Sequence, residues 1–187
     1  MDPFATLGFS PSFVLEAGVI SARKVELSKT LHPDRFVGRP ASERRAALLK
    51  SLEVNEASRR LLDPVTRAEA LLEQLGCSNA EEHTPQPAAD FLMEIMELRQ
   101  ELREAGRARD VARIEALSKR VQVSNAATLK KLEDAFVEVT PQLSDGGKSD
   151  GAFELDAAWK GTVFGLLSEL RYFRRFFDEA EAYLDEI

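Results

Sequence analysis

The stretch TLHPDRFVG (Thr30–Gly38) decides how the first part of this 187-residue chain folds. Pro33 disfavours helical geometry at His32, so the helical pattern that precedes it must end here. The same stretch sets a histidine, a proline and an aspartate side by side, with basic residues on both sides. Three interpretations are open at this point: a catalytic or metal site, a turn that only ends a helix, or a surface presented to a partner.

The composition is that of a globular protein with one or two domains. Hydrophobic residues make up 44% of the chain and charged residues 30%, and no run approaches the roughly 18 apolar residues of a membrane span. The N-terminal stretch lacks the basic region of a secretory signal, and the single Cys77 fits a reducing cytosol. One cysteine and two histidines, His32 and His83, argue against a thiolate or imidazole metal site. We therefore expect no metal and no cofactor.

The charge is distributed unevenly along the chain. Residues 1–75 hold 11 basic and 10 acidic side chains, whereas residues 76–187 hold 14 basic and 22 acidic ones. The net charge of −7 argues against a general nucleic-acid binder. The two parts are therefore expected to present different surfaces to different partners.

Periodic apolar residues predict helices almost throughout the chain, and no segment has the alternation of a strand. The predicted fold is therefore all-α. In the first part we predict a helix over residues 15–31, and a second helix that Ser42 caps and that ends near Leu62. A third helix is predicted to start at Asp63–Pro64 and to close at Gly76.

The polar segment 77–88 contains two prolines and is the best candidate for a linker. Three longer helical patterns follow it, with Ala105–Gly106 and residues 141–151 as the expected connections. One helix cannot bury its apolar stripe alone. We therefore predict an antiparallel three-helix bundle over residues 89–187, after a helical domain over residues 1–76. The seam of the last helix is predicted to include Phe173, Phe177 and Ala180.

A catalytic role for the triplet has little support in the sequence. A histidine beside an aspartate can act as a general base with its orienting group, but adjacency in sequence is poor evidence for that geometry. Neither a nucleophile elbow nor a glycine-rich phosphate loop accompanies His32 and Asp34. A turn that only ends a helix explains Pro33 but leaves the basic neighbours unexplained. A partner surface is the favoured interpretation.

A second motif lies downstream of the triplet, in the stretch VNEASRRLLDPVTRAEALL (Val54–Leu72). Together the two motifs resemble the J-domain, a helical hairpin that displays His-Pro-Asp at its tip. The residues that match its second motif are Asn55, Glu56, Ala57, Leu61, Asp63, Pro64 and Arg67. The resemblance implies that His32, Pro33 and Asp34 contact a DnaK-class chaperone ATPase and stimulate its ATP hydrolysis, so the chain itself is not an enzyme. The basic residues expected to steer this contact are Arg23, Lys29 and Arg35.

The stretch DFLMEIMELRQELRE (Asp90–Glu104) carries two apolar groups on one predicted helix. At about 100° per residue, Ile95 shares a face with Phe91, whereas Met96 and Met93 lie roughly 140° and 200° away from it. A bundle buries one stripe per helix, so the second group is expected to be exposed. Exposed methionines with a charged rim suggest a binding surface. The alternative is that the first domain docks on this group and buries it.

The order of a J-domain, a short linker, the FLMEIMELRQEL stretch and an acidic three-helix domain resembles the HscB family of iron–sulfur cluster co-chaperones. The resemblance spans nearly the whole chain. The matched residues of its most specific region are His83, Thr84, Phe91, Leu92, Met93, Glu94, Glu97, Leu98, Arg99, Glu101 and Leu102. It implies that the bundle binds an IscU-type cluster scaffold and brings it to the dedicated chaperone HscA. The implied scaffold-binding residues are Leu92, Met93, Met96, Glu97, Gln100 and Tyr172.

The sequence also departs from the family pattern. Gln100 stands where family members often carry a glutamate, which removes one charge from the implied contact. The zinc segment with paired cysteines of the eukaryotic members is lacking, which favours a bacterial, cytoplasmic protein. Two other functions stay open: a general J-domain co-chaperone with unrelated clients, and a helical regulator that binds nucleic acid through the basic helix before His32. The acidic second part argues against the regulator.

Overall fold

The computed structural model describes residues 1–77, 87–144 and 156–187. Within these residues the regular structure is entirely helical, so the all-α prediction is confirmed. The α-helices are α1 (Pro3–Leu7), α2 (Ala17–Thr30), α3 (Ala41–Leu62), α4 (Pro64–Gln74), α5 (Ala89–Arg107), α6 (Val111–Ser144) and α7 (Ala157–Asp185). No helix in the described part of the chain is long and apolar enough to span a membrane.

The described residues form two compact units. The first takes in residues 1–77 and 136–144, and the second takes in residues 87–135 and 156–187. The end of α6 thus belongs with the first unit. The predicted domains, residues 1–76 and 89–187, instead assigned the whole of α6 to the second. Most of the predicted linker, residues 78–86, lies outside the described residues, and so do His83 and Thr84.

The predicted junction between α3 and α4 is confirmed, because its chemistry is local. Pro64 occupies the first turn of α4, and the Asp63 side chain accepts a hydrogen bond of 2.9 Å from the Thr66 amide. At the other end, Gly76 has a φ of 73°, a left-handed conformation that glycine adopts without strain. The Cys77 amide then donates to the Leu72 carbonyl at 2.8 Å, which closes α4 in a Schellman motif.

The predicted N-cap at Ser42 is wrong. α3 begins at Ala41, and Pro40 is its boundary residue without any side-chain cap. The Pro40 carbonyl accepts hydrogen bonds from the Glu43 and Arg44 amides, at 3.1 and 3.2 Å. The ring of Pro40 sets the entry into the helix one residue before Ala41, so Ser42, two residues after Pro40, lies inside the first turn.

The core of the first unit forms where α3 packs against α1, α2 and α4. Its largest fully buried side chains include Phe4, Leu7, Ile20, Leu61 and Leu71. The last part of α6 joins this unit through Phe136, whose ring stacks on that of Phe13 at 5.3 Å between centroids.

Arg67 is the one charged residue buried in the described part of the first unit. Its guanidinium donates to the carbonyls of Leu61 and Phe13, both at 2.7 Å, and to that of Leu15 at 3.2 Å. Burial lowers the pKa of Arg67 below its ordinary value, but a guanidinium stays protonated in proteins. The arginine of the second motif therefore fastens the segment before α2 to the end of α3.

The second unit buries the predicted stripes of α5, α6 and α7, including Ile95, Leu98, Ile114, Val121, Val163 and Leu170. The last seam shifts by one residue from the prediction. Phe176 is fully buried, whereas Phe177 is partly exposed. Phe173 and Ala180 of the predicted seam are both buried, so the difference is confined to the one position between them.

The predicted connection at Ala105–Gly106 is also wrong. α5 continues to Arg107, and the turn comes after it, with Arg109 in a left-handed conformation at a φ of 53°. Ala105 is fully buried, and a Cβ added to Gly106 would lie 2.5 Å from the ring of Tyr183. Ala105 and Gly106 therefore allow α5 and α7 to pack closely at this point. A pair of small residues can also mark a turn, which is why the sequence alone suggested a connection here. At the other predicted connection, α6 continues to Ser144, and residues 145–151 lie outside the described residues.

Candidate partner-binding surfaces

The His-Pro-Asp triplet lies in a short 3-10 turn, Pro33–Phe36, between α2 and α3. His32 is extended and caps this turn, since its Nδ1 accepts a hydrogen bond of 3.3 Å from the Asp34 amide. The Arg35 amide donates to the His32 carbonyl at 3.0 Å. Pro33 therefore both ends α2 and begins the turn, as its fixed φ favours.

The polar groups of the tip face solvent. The side chains of His32 and Asp34 are 58% and 85% exposed, and 3.5 Å separates Nδ1 of the histidine from Oδ2 of the aspartate. No group of three or more metal-ligating side chains occurs among the described residues. An exposed carboxylate held in a rigid turn can accept a charge-assisted hydrogen bond from a partner. The tip is thus an exposed turn and not an enclosed pocket.

The three predicted steering residues differ in their surroundings. Lys29 and Arg35 are exposed, in the last turn of α2 and within the tip. Arg23 is partly buried, and its Nε donates to the Leu7 carbonyl at 2.9 Å. A second guanidinium nitrogen of Arg23 pairs with Glu26 at 2.7 Å. The structure therefore uses Arg23 to hold α2 to the end of α1, a contact that the sequence pattern did not indicate.

The predicted scaffold face lies along one side of α5. Met93 and Met96 are 63% and 68% exposed, and Glu97 and Gln100 are exposed beside them. These four residues line a shallow groove together with Arg99 and Arg103. Leu92 is only partly exposed. The two arginines were missed as groove residues, although the helical wheel places Arg103 beside Met96.

Tyr172 of α7 adjoins the start of α5 through an aromatic cluster. The edge of the Phe91 ring meets Tyr172 at 6.0 Å and Phe173 at 5.3 Å between centroids. The guanidinium of Arg175 lies 5.7 Å from the centre of the Tyr172 ring. Phe91, which the sequence assigns to the core stripe, is partly exposed and supports Tyr172 from one side.

An ion pair fixes α5 to α7 beside the methionines. A guanidinium nitrogen of Arg99 lies 2.8 Å from a carboxylate oxygen of Glu179, and both side chains are partly buried. Partial burial and two short contacts make this pair more rigid than an exposed surface pair. The face formed by Met93, Met96 and Gln100 is thus presented on a helix that its neighbour holds in place.

Comparisons with known proteins agree with this arrangement. Residues 87–181 match the family model described as the HSCB C-terminal oligomerisation domain. The co-chaperone protein HscB homolog of Haemophilus influenzae is 36% identical over 140 residues, which cover 72% of this chain and 78% of that protein. The chaperone HscB from Vibrio cholerae has the same fold, with a TM-score of 0.77 at 24% identity over 100% of this chain and 99% of that one. Human co-chaperone protein HscB also matches with a TM-score of 0.77, at 23% identity over 100% and 83%.

The family match extends over more than half of the chain, and the curated relative covers more than two thirds of it. The two solved structures share its architecture of a helical J-domain followed by a C-terminal helical domain. The sequence resemblance and the fold thus lead to the same assignment. The chain belongs to the HscB family, the J-domain co-chaperones of iron–sulfur cluster assembly.

Proposed function

We propose that the first unit stimulates ATP hydrolysis by an HscA/DnaK-class chaperone, while the second unit binds an IscU-type scaffold and delivers it to that chaperone. The observation that carries the proposal is the exposed His-Pro-Asp turn at the end of α2, on a unit separate from the exposed methionine face of α5. One chain would then hold both partners at once. The chemistry takes place in the chaperone.

The tip has the properties that a trigger for a partner needs. Pro33 limits its flexibility, so little conformational entropy is lost on binding. Asp34 offers a carboxylate to an arginine of the chaperone, and a guanidinium matches a carboxylate with two parallel hydrogen bonds. Lys29 and Arg35 are the exposed cations expected to steer the approach to an acidic surface. Arg23 is expected to contribute less directly, because its guanidinium already holds α1 and Glu26.

The side of α5 that carries Met93, Met96, Glu97 and Gln100 has the properties of a protein-binding surface. Unbranched methionines adapt to the shape of a partner, and exposed apolar side chains with a polar rim are typical of such surfaces. Leu92, Met93, Met96, Glu97, Gln100 and Tyr172 are the residues we assign to the scaffold contact. Because Gln100 is neutral, the contact is expected to rely on apolar burial more than on charge.

The chaperone contact is tested with His32→Gln. The steady-state ATPase rate of a purified HscA-type chaperone is measured with wild-type protein, with the variant, and with Lys119→Gln as a control. Lys119 is exposed on α6 in the second unit. We expect the control to stimulate like wild type and His32→Gln to leave the rate at its basal value. Equal stimulation by all three proteins would refute the J-domain assignment.

The scaffold contact is tested with the double variant Leu92→Ala/Met96→Ala. Calorimetric titration with a purified IscU-type scaffold should show affinity weakened about 30-fold, since two central apolar contacts are each worth about 1 kcal/mol. Val123→Ala is the matched control, because Val123 is 68% exposed on α6 and should leave affinity unchanged. Unchanged affinity in the double variant would remove the proposed face.

The second candidate function, a general J-domain co-chaperone with unrelated clients, rests on the tip alone. It predicts chaperone stimulation that is lost in His32→Gln, together with no binding of the cluster scaffold by the wild-type protein. The two measurements above therefore separate the candidates without any additional variant.

A further inference from the structure

The second unit contains a cavity of about 210 Å³ between α5, α6 and α7. α5 contributes Ile95 and Leu98 to its walls, and α6 presents the small residues Ser124 and Ala127 to them. Small side chains at these positions leave room between the two helices. The cavity is smaller than the roughly 300–1,000 Å³ of typical small-molecule pockets, which suits a single side chain better than a cofactor.

The walls combine aromatic rings with a carboxylate. Phe91 and Phe173 line one part of the cavity, and their rings meet edge to face at 5.3 Å. Deeper in the bundle, Thr128 is 4% exposed, and its hydroxyl donates to Oε2 of Glu169 at 3.0 Å. The hydroxyl orients the partly buried carboxylate of Glu169, which is itself one of the lining groups.

Two carboxylates line the cavity, those of Glu94 and Glu169, and only one of them forms an ion pair within the described residues. Glu94, also in the lining, already pairs with Arg120 at 3.2 Å. Within the described residues, Glu169 has the Thr128 hydroxyl as its hydrogen-bond donor but no cation within ion-pair distance. A partly buried carboxylate gains most from a cationic partner with good hydrogen-bond geometry. Within the described residues the carboxylate of Glu169 therefore lacks an ion-pair partner, although Lys131 lies at the rim of the same cavity.

We propose that this cavity receives an arginine side chain from a partner protein. Its methylene stem would pack on the apolar wall, its planar guanidinium would stack on the Phe91 or Phe173 ring, and its N–H groups would donate to Glu169. The site goes beyond the proposed scaffold face. Met93 and Met96 lie roughly 100–160° around α5 from the buried Ile95 and Leu98 that line the cavity, at about 100° per residue.

Lys131 supplies an internal control for the proposal. It is exposed at the rim of the same cavity, so its ammonium group competes with an incoming guanidinium for the carboxylate. Removing its charge should tighten binding of an arginine side chain, whereas removing the charge of Glu169 should weaken it. A cavity that accepts only apolar groups would show neither effect.

The experiment uses the full-length ¹⁵N-labelled protein and N-acetyl-arginine-methylamide as the probe. N-acetyl-citrulline-methylamide, which has nearly the same shape without the charge, is the control probe. We expect the arginine probe to cause saturable shifts of the Ala127, Thr128 and Phe173 amides, and the citrulline probe to cause none. Equal responses to both probes, or no saturable shift with arginine, would overturn the proposal.

Variants then assign the response to this cavity. Glu169→Gln keeps an oxygen that accepts from the Thr128 hydroxyl, and it should weaken binding of the arginine probe at least fivefold. Lys131→Gln should strengthen binding, and Glu115→Gln, at an exposed position of α6, should not change it. Ser124→Met fills the cavity without changing any charge and should abolish binding. Binding that persists in both Glu169→Gln and Ser124→Met would refute the site.

Discussion

Replacing Arg67 with methionine would remove a guanidinium that is only 7% exposed while keeping much of the apolar stem. The carbonyls of Leu61 and Phe13, each 2.7 Å from a guanidinium nitrogen, would lose their donor. The carbonyl of Leu15, at 3.2 Å, would lose a weaker one. Because Phe13 and Leu15 lie just before α2, the change should loosen the attachment of that segment to the end of α3.

The expected loss follows from the two short hydrogen bonds. A buried acceptor left without a donor costs about 1–3 kcal/mol. Part of this cost is returned, because the variant no longer buries the charge whose desolvation lowers the pKa of Arg67. We expect a net loss of about 2–4 kcal/mol, a large share of the roughly 5–15 kcal/mol that stabilises a typical domain. The Phe13 ring would also lose the cation that lies 5.6 Å from its centre.

Urea unfolding followed by far-ultraviolet circular dichroism measures the change. With a denaturant dependence of about 1–3 kcal/mol per molar, the midpoint of the affected transition should fall by about 0.7–4 M. The urea midpoint of Arg67→Lys should lie between those of wild type and Arg67→Met, since an ammonium keeps the charge but not the planar arrangement of N–H donors. Arg59→Met, at an exposed position of α3, should leave the midpoint unchanged. A wild-type midpoint for Arg67→Met would refute the structural role given to this guanidinium.

Two further predictions concern the helices themselves. Gly106→Ala should destabilise the protein by about 1–2 kcal/mol despite the higher helix propensity of alanine, because the new Cβ would lie 2.5 Å from the Tyr183 ring. Gly165→Ala in α7, where no described residue lies within 4 Å of the added Cβ, should instead stabilise it by up to about 1 kcal/mol. Thermal unfolding of both variants measures the two changes in stability, and changes of the same sign would contradict the packing argument. Asp63→Ala should cost about 1 kcal/mol by leaving the Thr66 amide uncapped; Asp63→Asn, which keeps the acceptor, should recover most of it in the same assay.

The exposure of the proposed binding residues on α5 was predictable in outline, because a bundle buries only one stripe of each helix. Met93 and Met96 lie away from the core stripe of α5 on a helical wheel, and the structure exposes both. The surroundings of Arg23 were not predictable. Its hydrogen bond to the Leu7 carbonyl joins residues 16 positions apart, and no periodic pattern within α2 indicates where the end of α1 will lie.

The sequence by itself determined the ends of helices whose signals act within one turn. Asp63 and Pro64 begin α4, Gly76 closes it, and Pro33 ends α2, because caps, a missing amide and a positive φ are effects of neighbouring residues. Tertiary structure alone decided whether Ala105–Gly106 forms a turn or a close contact between helices. Two small residues can form a turn or admit a neighbouring helix, and which occurs depends on the ring of Tyr183, far away in sequence. Local chemistry ends a helix, whereas the choice of what packs against it belongs to the whole fold.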